Sequence, residues 1–320
     1  MTRSVRYVAF AVLAAAAVVL PFVSSTYYVT IATLILASAI LASSVNLLAG
    51  NAGLFSLGHA GIAGAAAYGL AWASRQGMDL PAQLGIALGL TLGVTAIYGL
   101  ISMRTAGVYF LMVTLAAGMV CYGIAYRWST VTGGVNGLTG VRRPEWISQD
   151  WQFYLFVLVV FLLITLSLRQ LASSPFGLSL RGVRDSESRM RSLGYSNSAL
   201  KFVAMLLSGL VAGLAGVTLV WQTEFISPTF SGFEASALAL VMVVLGGAGR
   251  LFGPLVGAAI VVLIQQVLST YVDRWQTVLG ALFVVVVIVS QRKVIPRIRE
   301  AIQRRRHTTT DQHELVHSSS

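Results

Sequence analysis

The sequence predicts an all-α polytopic membrane protein with about ten transmembrane helices, or eight to nine if the short and glycine-rich stretches do not cross. Three observations predict it. Hydrophobic residues make up 56% of the 320 residues and charged residues only 10%, against roughly 25% charged in a soluble domain. Apolar stretches near the ~20 residues needed to cross a bilayer recur along the chain. The 22 Lys and Arg outnumber the 11 Asp and Glu, a net charge of +11, and they gather in alternate loops. So few charges cannot coat a globule of this size, which excludes an ordinary water-soluble enzyme.

The apolar stretches, in order, are Tyr7–Val23, Thr26–Leu48, Leu54–Trp72, Pro81–Met103, Gly107–Tyr126, Trp151–Leu168, Phe202–Trp221, the short Ala235–Gly246, Phe252–Thr270 and Trp275–Ser290. Arg and Lys in short loops set orientation. Arg3 and Arg6 place the N-terminus in the cytoplasm. Ten crossings then bring Arg104, the segment 169–201, Arg250 and the C-terminal tail to the same side, and with Arg3 and Arg6 that side holds 17 of the 22 positives. The net charge therefore reads as topology and not as nucleic-acid affinity. The first stretch also has the form of a signal peptide, with Val23-Ser24-Ser25 as its cleavage site; cleavage would leave nine spans, and a retained helix is the expectation. Residues 1–291 are expected to form one transmembrane domain, with 169–201 a cytoplasmic loop inside it. Residues 292–320 form a basic, partly disordered tail.

The single cysteine, Cys121, excludes an internal disulfide and any Cys-based metal centre; in an apolar run it reads as a buried thiol. Neither lysine, Lys201 nor Lys293, follows a glycine, so the chain has no phosphate-binding P-loop. If ATP drives it, another chain hydrolyses the ATP. The pattern His313-Glu-Leu-Val-His317 matches a zinc-protease motif but lies in the polar tail with nothing after it to act as third ligand. No metal or other cofactor is expected.

Many of the 31 glycines sit at helical spacing. Gly85, Gly89 and Gly93 form one ridge, Gly58, Gly61 and Gly64 a tighter one, and Gly209/Gly213 and Gly253/Gly257 are further pairs. Small residues let helices pack closely in lipid, so these are expected to build a tightly packed bundle. Three stretches depart from plain packing. Asn51, Ser56 and His59 stand at the mouth of an apolar run. Thr132, Gly133, Gly134 and Asn136 belong to a polar glycine-dense loop. Gly246, Gly247 and Gly249 interrupt a hydrophobic stretch. Interrupted membrane segments mark solute paths in many transporters, and irregular backbone at membrane depth needs a cavity or protein around it. These residues are therefore the candidate substrate pathway, with tight turns the plainer alternative. A hydrogen-bonded structural role is the simplest account of His59.

Residues 174–195 are amphipathic and carry both charge signs. Leu180, Val183, Met190 and Leu193 form an apolar stripe broken by Arg184 and Glu187, and Gly194 is placed to end the helix. Such a helix either lies in the membrane interface or docks into a groove on a cytoplasmic partner.

The stretches Gly50–Ala60, Gly107–Leu115, Thr132–Leu138, Arg181–Gly194 and Val241–Pro254 resemble, in order, the LivM-type permease subunits of branched-chain amino-acid ABC importers, and the resemblance covers about residues 40–290. It implies a second homologous permease subunit, two cytoplasmic ATP-binding subunits, an extracytoplasmic solute-binding protein, and a bacterial inner-membrane location with both termini cytoplasmic. It also implies that Arg181, Arg184, Asp185, Glu187, Leu193 and Gly194 couple to the ATPase. The chain departs from the family at Arg184-Asp-Ser-Glu187, usually Arg-Glu-Asn-Glu, and at Ser188-Arg189, usually alanines. Urea and short-amide permeases look similar. A stand-alone secondary carrier is the other class considered. Proton-driven carriers commonly place acids within spans, whereas Asp79, Glu224, Glu234 and Asp273 all sit at span edges here. An intramembrane enzyme would need a buried acid–base pair, and His59 and Cys121 lack a neighbouring carboxylate.

Overall fold

The computed structural model describes Ser25–Leu268 continuously, with isolated positions at Val18, Pro21, Thr277, Gly280, Ala281 and Val284. The chain divides into a unit ending at Val267 and a second unit, Leu268–Ser320. The first and last expected spans, the tail and the His313–His317 motif lie almost wholly outside the described residues.

Helix α1 spans Thr26–Asn46 and runs on as a π-helical turn, Leu47–Ala52. Gly53 ends it in a left-handed conformation at φ 67°. Residues 54–58 are non-helical although Leu54, Ser56 and Leu57 are buried, so α2 begins only at His59 and ends at Arg75. Helix α3 (Leu80–Ser102) starts after Asp79 with Pro81 in its first turn, where proline's missing N–H costs nothing. Helix α4 is Gly107–Arg127, and the single turn α5 is Ser129–Thr132. Helix α6 (Asp150–Ser173) opens with a reciprocal Gln149–Gln152 cap. Two short helices follow, α7 (Pro175–Asp185) and α8 (Glu187–Ser192). Helix α9 spans Asn197–Thr223, α10 Phe233–Gly246 and α11 Gly253–Leu263. The strands β1 (Leu138–Thr139) and β2 (Phe225–Ile226) pair antiparallel, Leu138 opposite Ile226.

Among the described residues five helices are long and apolar enough to cross a bilayer: α1 with its π turn, α3, α4, α6 and α9. The other expected spans in this region, α2, α10 and α11, are 17, 14 and 11 residues long. At 1.5 Å per residue these fall short of the ~30 Å hydrocarbon core. The count of ten is therefore approximate.

The bundle has a centre and a periphery. Helix α9 packs on α1, α2 and α3, while α1 also meets α6 and α11. In their most apolar windows α1 and α9 are 72% and 67% buried, but α3, α4 and α6 only 22–28%. Leu88, Ile97, Val120 and Leu163 project outward from this periphery, an arrangement that lipid satisfies and water would not. The glycine expectation holds for one ridge and fails for another. Methyl groups added at Gly209 and Gly213 would run into Thr95 and Thr91 of α3. Added at Gly85, Gly89 or Gly93 they would meet nothing. The Gly85 ridge therefore faces away from the bundle and does not pack it.

Loops expected to share a side of the membrane do come together. At one end, called the Arg184 end, the π turn of α1, Thr105, α7–α8 and the α10–α11 turn are joined by hydrogen bonds. At the opposite, Arg143 end, the loop before α6 meets the C-terminus of α9, and β1 pairs with β2.

Candidate coupling and translocation site

The amphipathic segment forms two helices. Ser174 caps α7 through Gly177 N, and Ser186 interrupts the helix and caps α8 through Arg189 N. At the far end Gly194, at φ 86°, donates to Arg191 O while Tyr195 N donates to Met190 O. This paired closure satisfies two terminal carbonyls and needs a left-handed residue, which glycine supplies without strain. Leu180, Val183 and Met190 are buried in the chain's own bundle, so this part of the stripe packs inward and meets neither lipid nor a partner. Leu193, 67% exposed, is the member of the stripe that faces outward.

Two side chains fasten this helix pair to the bundle. Arg184 Nη1 donates to Gly50 O at 2.7 Å, inside the π turn of α1, and its stem lies over Gly53. Gly50 in turn lies so close to Gly249 that an added methyl would sit 2.6 Å from Gly249 Cα. Asn46 bridges the same pair of elements, accepting from Gly249 N at 2.8 Å and donating to Arg250 O at 3.1 Å. Two backbones thus meet through small residues, with Arg184 as the link to α7. The second fastening is Lys201. Its ammonium is buried, pairs with Glu187 at 2.7 Å and donates to Thr105 O at 3.0 Å. Asn197 Nδ2 also donates to Glu187 O at 2.7 Å. A buried charge is tolerated only when paired and hydrogen-bonded. This one ties α8 and α9 to the loop between α3 and α4. Asp185 makes only a surface pair with Arg184 at 3.5 Å, and Arg181 Nη2 donates to Ala172 O of α6.

Deeper in the bundle, His59 is fully buried. Its Nδ1 lies 2.9 Å from Ser56 Oγ and its Nε2 2.6 Å from Ser208 Oγ. Ser208 spends its proton on Ser44 O at 2.6 Å, and Ser56 Oγ accepts from Gly58 N. Proton bookkeeping then fixes the ring: Ser208 accepts from Nε2–H, Ser56 donates to Nδ1, and His59 is neutral. The relay joins α1, α2 and α9 and leaves neither ring nitrogen free for a ligand.

The third stretch lies elsewhere. Thr132 is buried and donates back to Ala125 O of α4 and to Trp128 O. Gly133, Gly134 and Gly137 all have positive φ, and Asn136 is exposed. A side chain at Gly137 would run into Ile226 O across the strand pair. Nearby, Arg143 donates to Trp221 O at 2.7 Å and Gln222 O at 3.3 Å, pairs with Asp150 at 2.9 Å and stacks on Phe153. Between α2, α3 and α4 a half-open apolar cavity of about 550 Å³ is lined by Tyr68, Cys121 and Thr132, among others.

The structure therefore divides the candidate pathway residues. Asn51, Gly246, Gly247 and Gly249 lie at the Arg184 end, Ser56 and His59 within the bundle, and Thr132–Asn136 at the other end. It also supplies residues the sequence reading missed: Asn46, Lys201 and Ser208 as interhelical fasteners, and Arg143 as a hub. A lone lysine beside the apolar run of α9 and an asparagine within that of α1 were the available signals. Among the described residues no three His, Cys, Asp or Glu cluster as a metal site would.

Residues 27–287 match the family described as the branched-chain amino acid transport system / permease component. The chain belongs to this family. It is 28% identical over 316 residues to the high-affinity branched-chain amino acid transport system permease protein LivM of Salmonella typhimurium and to that of Escherichia coli, covering 90% of this chain and 74% of each relative. A probable LivM from Methanocaldococcus jannaschii is 26% identical over 55% of this chain and 51% of its own. A solved ABC transporter of metal-chelate type, in an inward-facing conformation, has a similar fold, with a TM-score of 0.51 at 21% identity over 82% of this chain and 86% of that one. Fold and family agree on a multi-pass permease component of an ABC transport system.

Proposed function

We propose that this permease imports branched-chain amino acids, driven by two separate ATP-binding subunits and working with a second homologous permease and an extracytoplasmic solute-binding protein. The α7–α8 pair carries the reading. It is a short amphipathic helix unit that presents Leu178, Leu193 and Tyr195 outward while Arg184 and Lys201 tie its inner side to three other elements. A push on its outer face reaches the π turn of α1 through Arg184, and through the Gly50–Gly249 contact the α10–α11 turn. The Arg184 end is cytoplasmic on this reading, since Arg104, Arg169, Arg181, Arg184, Arg189, Arg191, Lys201 and Arg250 belong to it. The irregular backbones at Asn51 and Gly246–Gly249 mark the route at that end, and Thr132–Asn136 mark it at the other. The membrane is the bacterial inner membrane. The solute is taken from the LivM relatives.

The test is leucine uptake and ATP hydrolysis by the assembled transporter in proteoliposomes. Arg184→Gln is expected to leave ATP hydrolysis within about twofold and to lower uptake about tenfold, the worth of one charge-assisted hydrogen bond. Uptake and hydrolysis falling together, or neither falling, would refute transmission through Arg184. Transport by the chain alone would overturn the need for partners.

A further inference from the structure

A second cavity of about 330 Å³ opens at the Arg184 end, between α1 and α6, and is bounded by the α10–α11 turn. Three guanidinium-bearing residues line it: Arg169 from α6, Arg181 from α7 and Arg250 from the turn. No Asp or Glu lines it. Arg181 is held by Ala172 O, whereas the side chains of Arg169 and Arg250 have no hydrogen-bond or ion-pair partner among the described residues. Thr165 also lines the cavity. It is 4% exposed and its hydroxyl has no partner, although a buried hydroxyl ordinarily finds one. Leu47, Leu168 and Leu251 add apolar lining.

We propose that this cavity is a phosphate-binding site filled by the headgroup of an acidic phospholipid. Three positive charges with no carboxylate suit an anion and not a zwitterion, whose ammonium would find no counter-charge. Guanidinium groups are matched to phosphate oxygens. The site lies at the end of the membrane-crossing helix α6, beside leucines that continue toward its apolar interior. That is the level of lipid phosphates, and basic pockets between membrane helices bind such headgroups. The bound lipid would brace α1 against α6 next to the Gly50–Gly249 contact.

The experiment titrates the purified full-length chain in neutral detergent with phosphatidylglycerol, with phosphatidylcholine of the same acyl chains, or with inorganic phosphate. Retained lipid is read by native mass spectrometry and stability by the thermal midpoint. Phosphatidylglycerol is expected to be retained in preference to phosphatidylcholine and to raise the midpoint. Arg169→Gln combined with Arg250→Gln should weaken its binding about 30-fold, roughly fivefold per guanidinium. Arg250→Gln alone should weaken it roughly fivefold and carries the test if the double variant is unstable. Equal retention of the two lipids, or unchanged phosphatidylglycerol binding in the variants, would overturn the site. Inorganic phosphate raising the midpoint as phosphatidylglycerol does would overturn the lipid as its source.

Discussion

Helices α3 and α9 both carry glycines at helical spacing and use them in opposite ways. In α9, Gly209, Gly213 and Gly216 lie against Thr95, Thr91 and the Ala63 carbonyl, and two neighbouring helices approach within a methyl's reach. In α3, Gly85, Gly89 and Gly93 face open space. The pattern alone licenses close approach but does not say whether anything approaches. What separates the two is position: α9 is 67% buried in its apolar window and α3 only 28%. Packing drives association in lipid, so the glycines of α9 are structural, and those of α3 leave a groove on an outward face.

The largest expected effect is at Gly216. A side chain there would collide with the Ala63 carbonyl, which is backbone and cannot rotate away. Gly216→Val should destabilise the chain by about 3 kcal/mol, the upper range for overpacking. Loss of the thermal transition in detergent, or failure to accumulate in the membrane, is the expected readout. Gly209→Ala meets the Thr95 side chain instead and should cost about 2 kcal/mol. Because a side chain can be shortened, Thr95→Ala in the same chain should recover part of that loss. No recovery would mean that the α3–α9 contact is not what Gly209 serves.

The contrast also explains what could be read from sequence. Apolar length and the alternation of Arg and Lys depend on the bilayer and are written locally, so the five long helices between Thr26 and Thr223 and the sharing of ends were legible, while α2 and α10 fell short of the spans expected there. The cap at Gly194 was legible because its geometry depends on a few adjacent residues. Contacts that join distant segments were not. Arg184 and Gly50 are 134 positions apart, His59 and Ser208 149, and Asn46 and Arg250 204. Nothing local distinguishes Ser208 from any other serine in an apolar helix. The inward packing of Leu180, Val183 and Met190 was not legible for a related reason: spacing places side chains on one face but does not say what that face meets.

A smaller effect tests the polar side of α9. Ser208→Ala removes the acceptor of His59 Nε2–H and the donor to Ser44 O. Polar contacts between membrane helices average ~0.6 kcal/mol and reach ~1.7. Two are lost here in a fully buried place, so a cost of about 1 kcal/mol is expected as a lowered thermal midpoint. No change would indicate that the steric contacts of α9 alone hold α1 and α2 to it.

The smallest expected effect lies on α3 and bears most directly on the comparison. Gly89 is flanked by empty space, so a methyl there strikes nothing within the chain. Alanine also has the better helix propensity, by up to ~1 kcal/mol in an exposed helix interior. Gly89→Ala should therefore leave the midpoint of the isolated chain unchanged or raise it slightly, while Gly209→Ala lowers it. A marked loss of stability at Gly89 would contradict the open ridge and erase the distinction between the two helices. Swapping the test residue for a larger one sharpens it: Gly89→Leu should still be tolerated in the isolated chain, because an outward apolar side chain meets detergent or lipid and not a neighbouring helix.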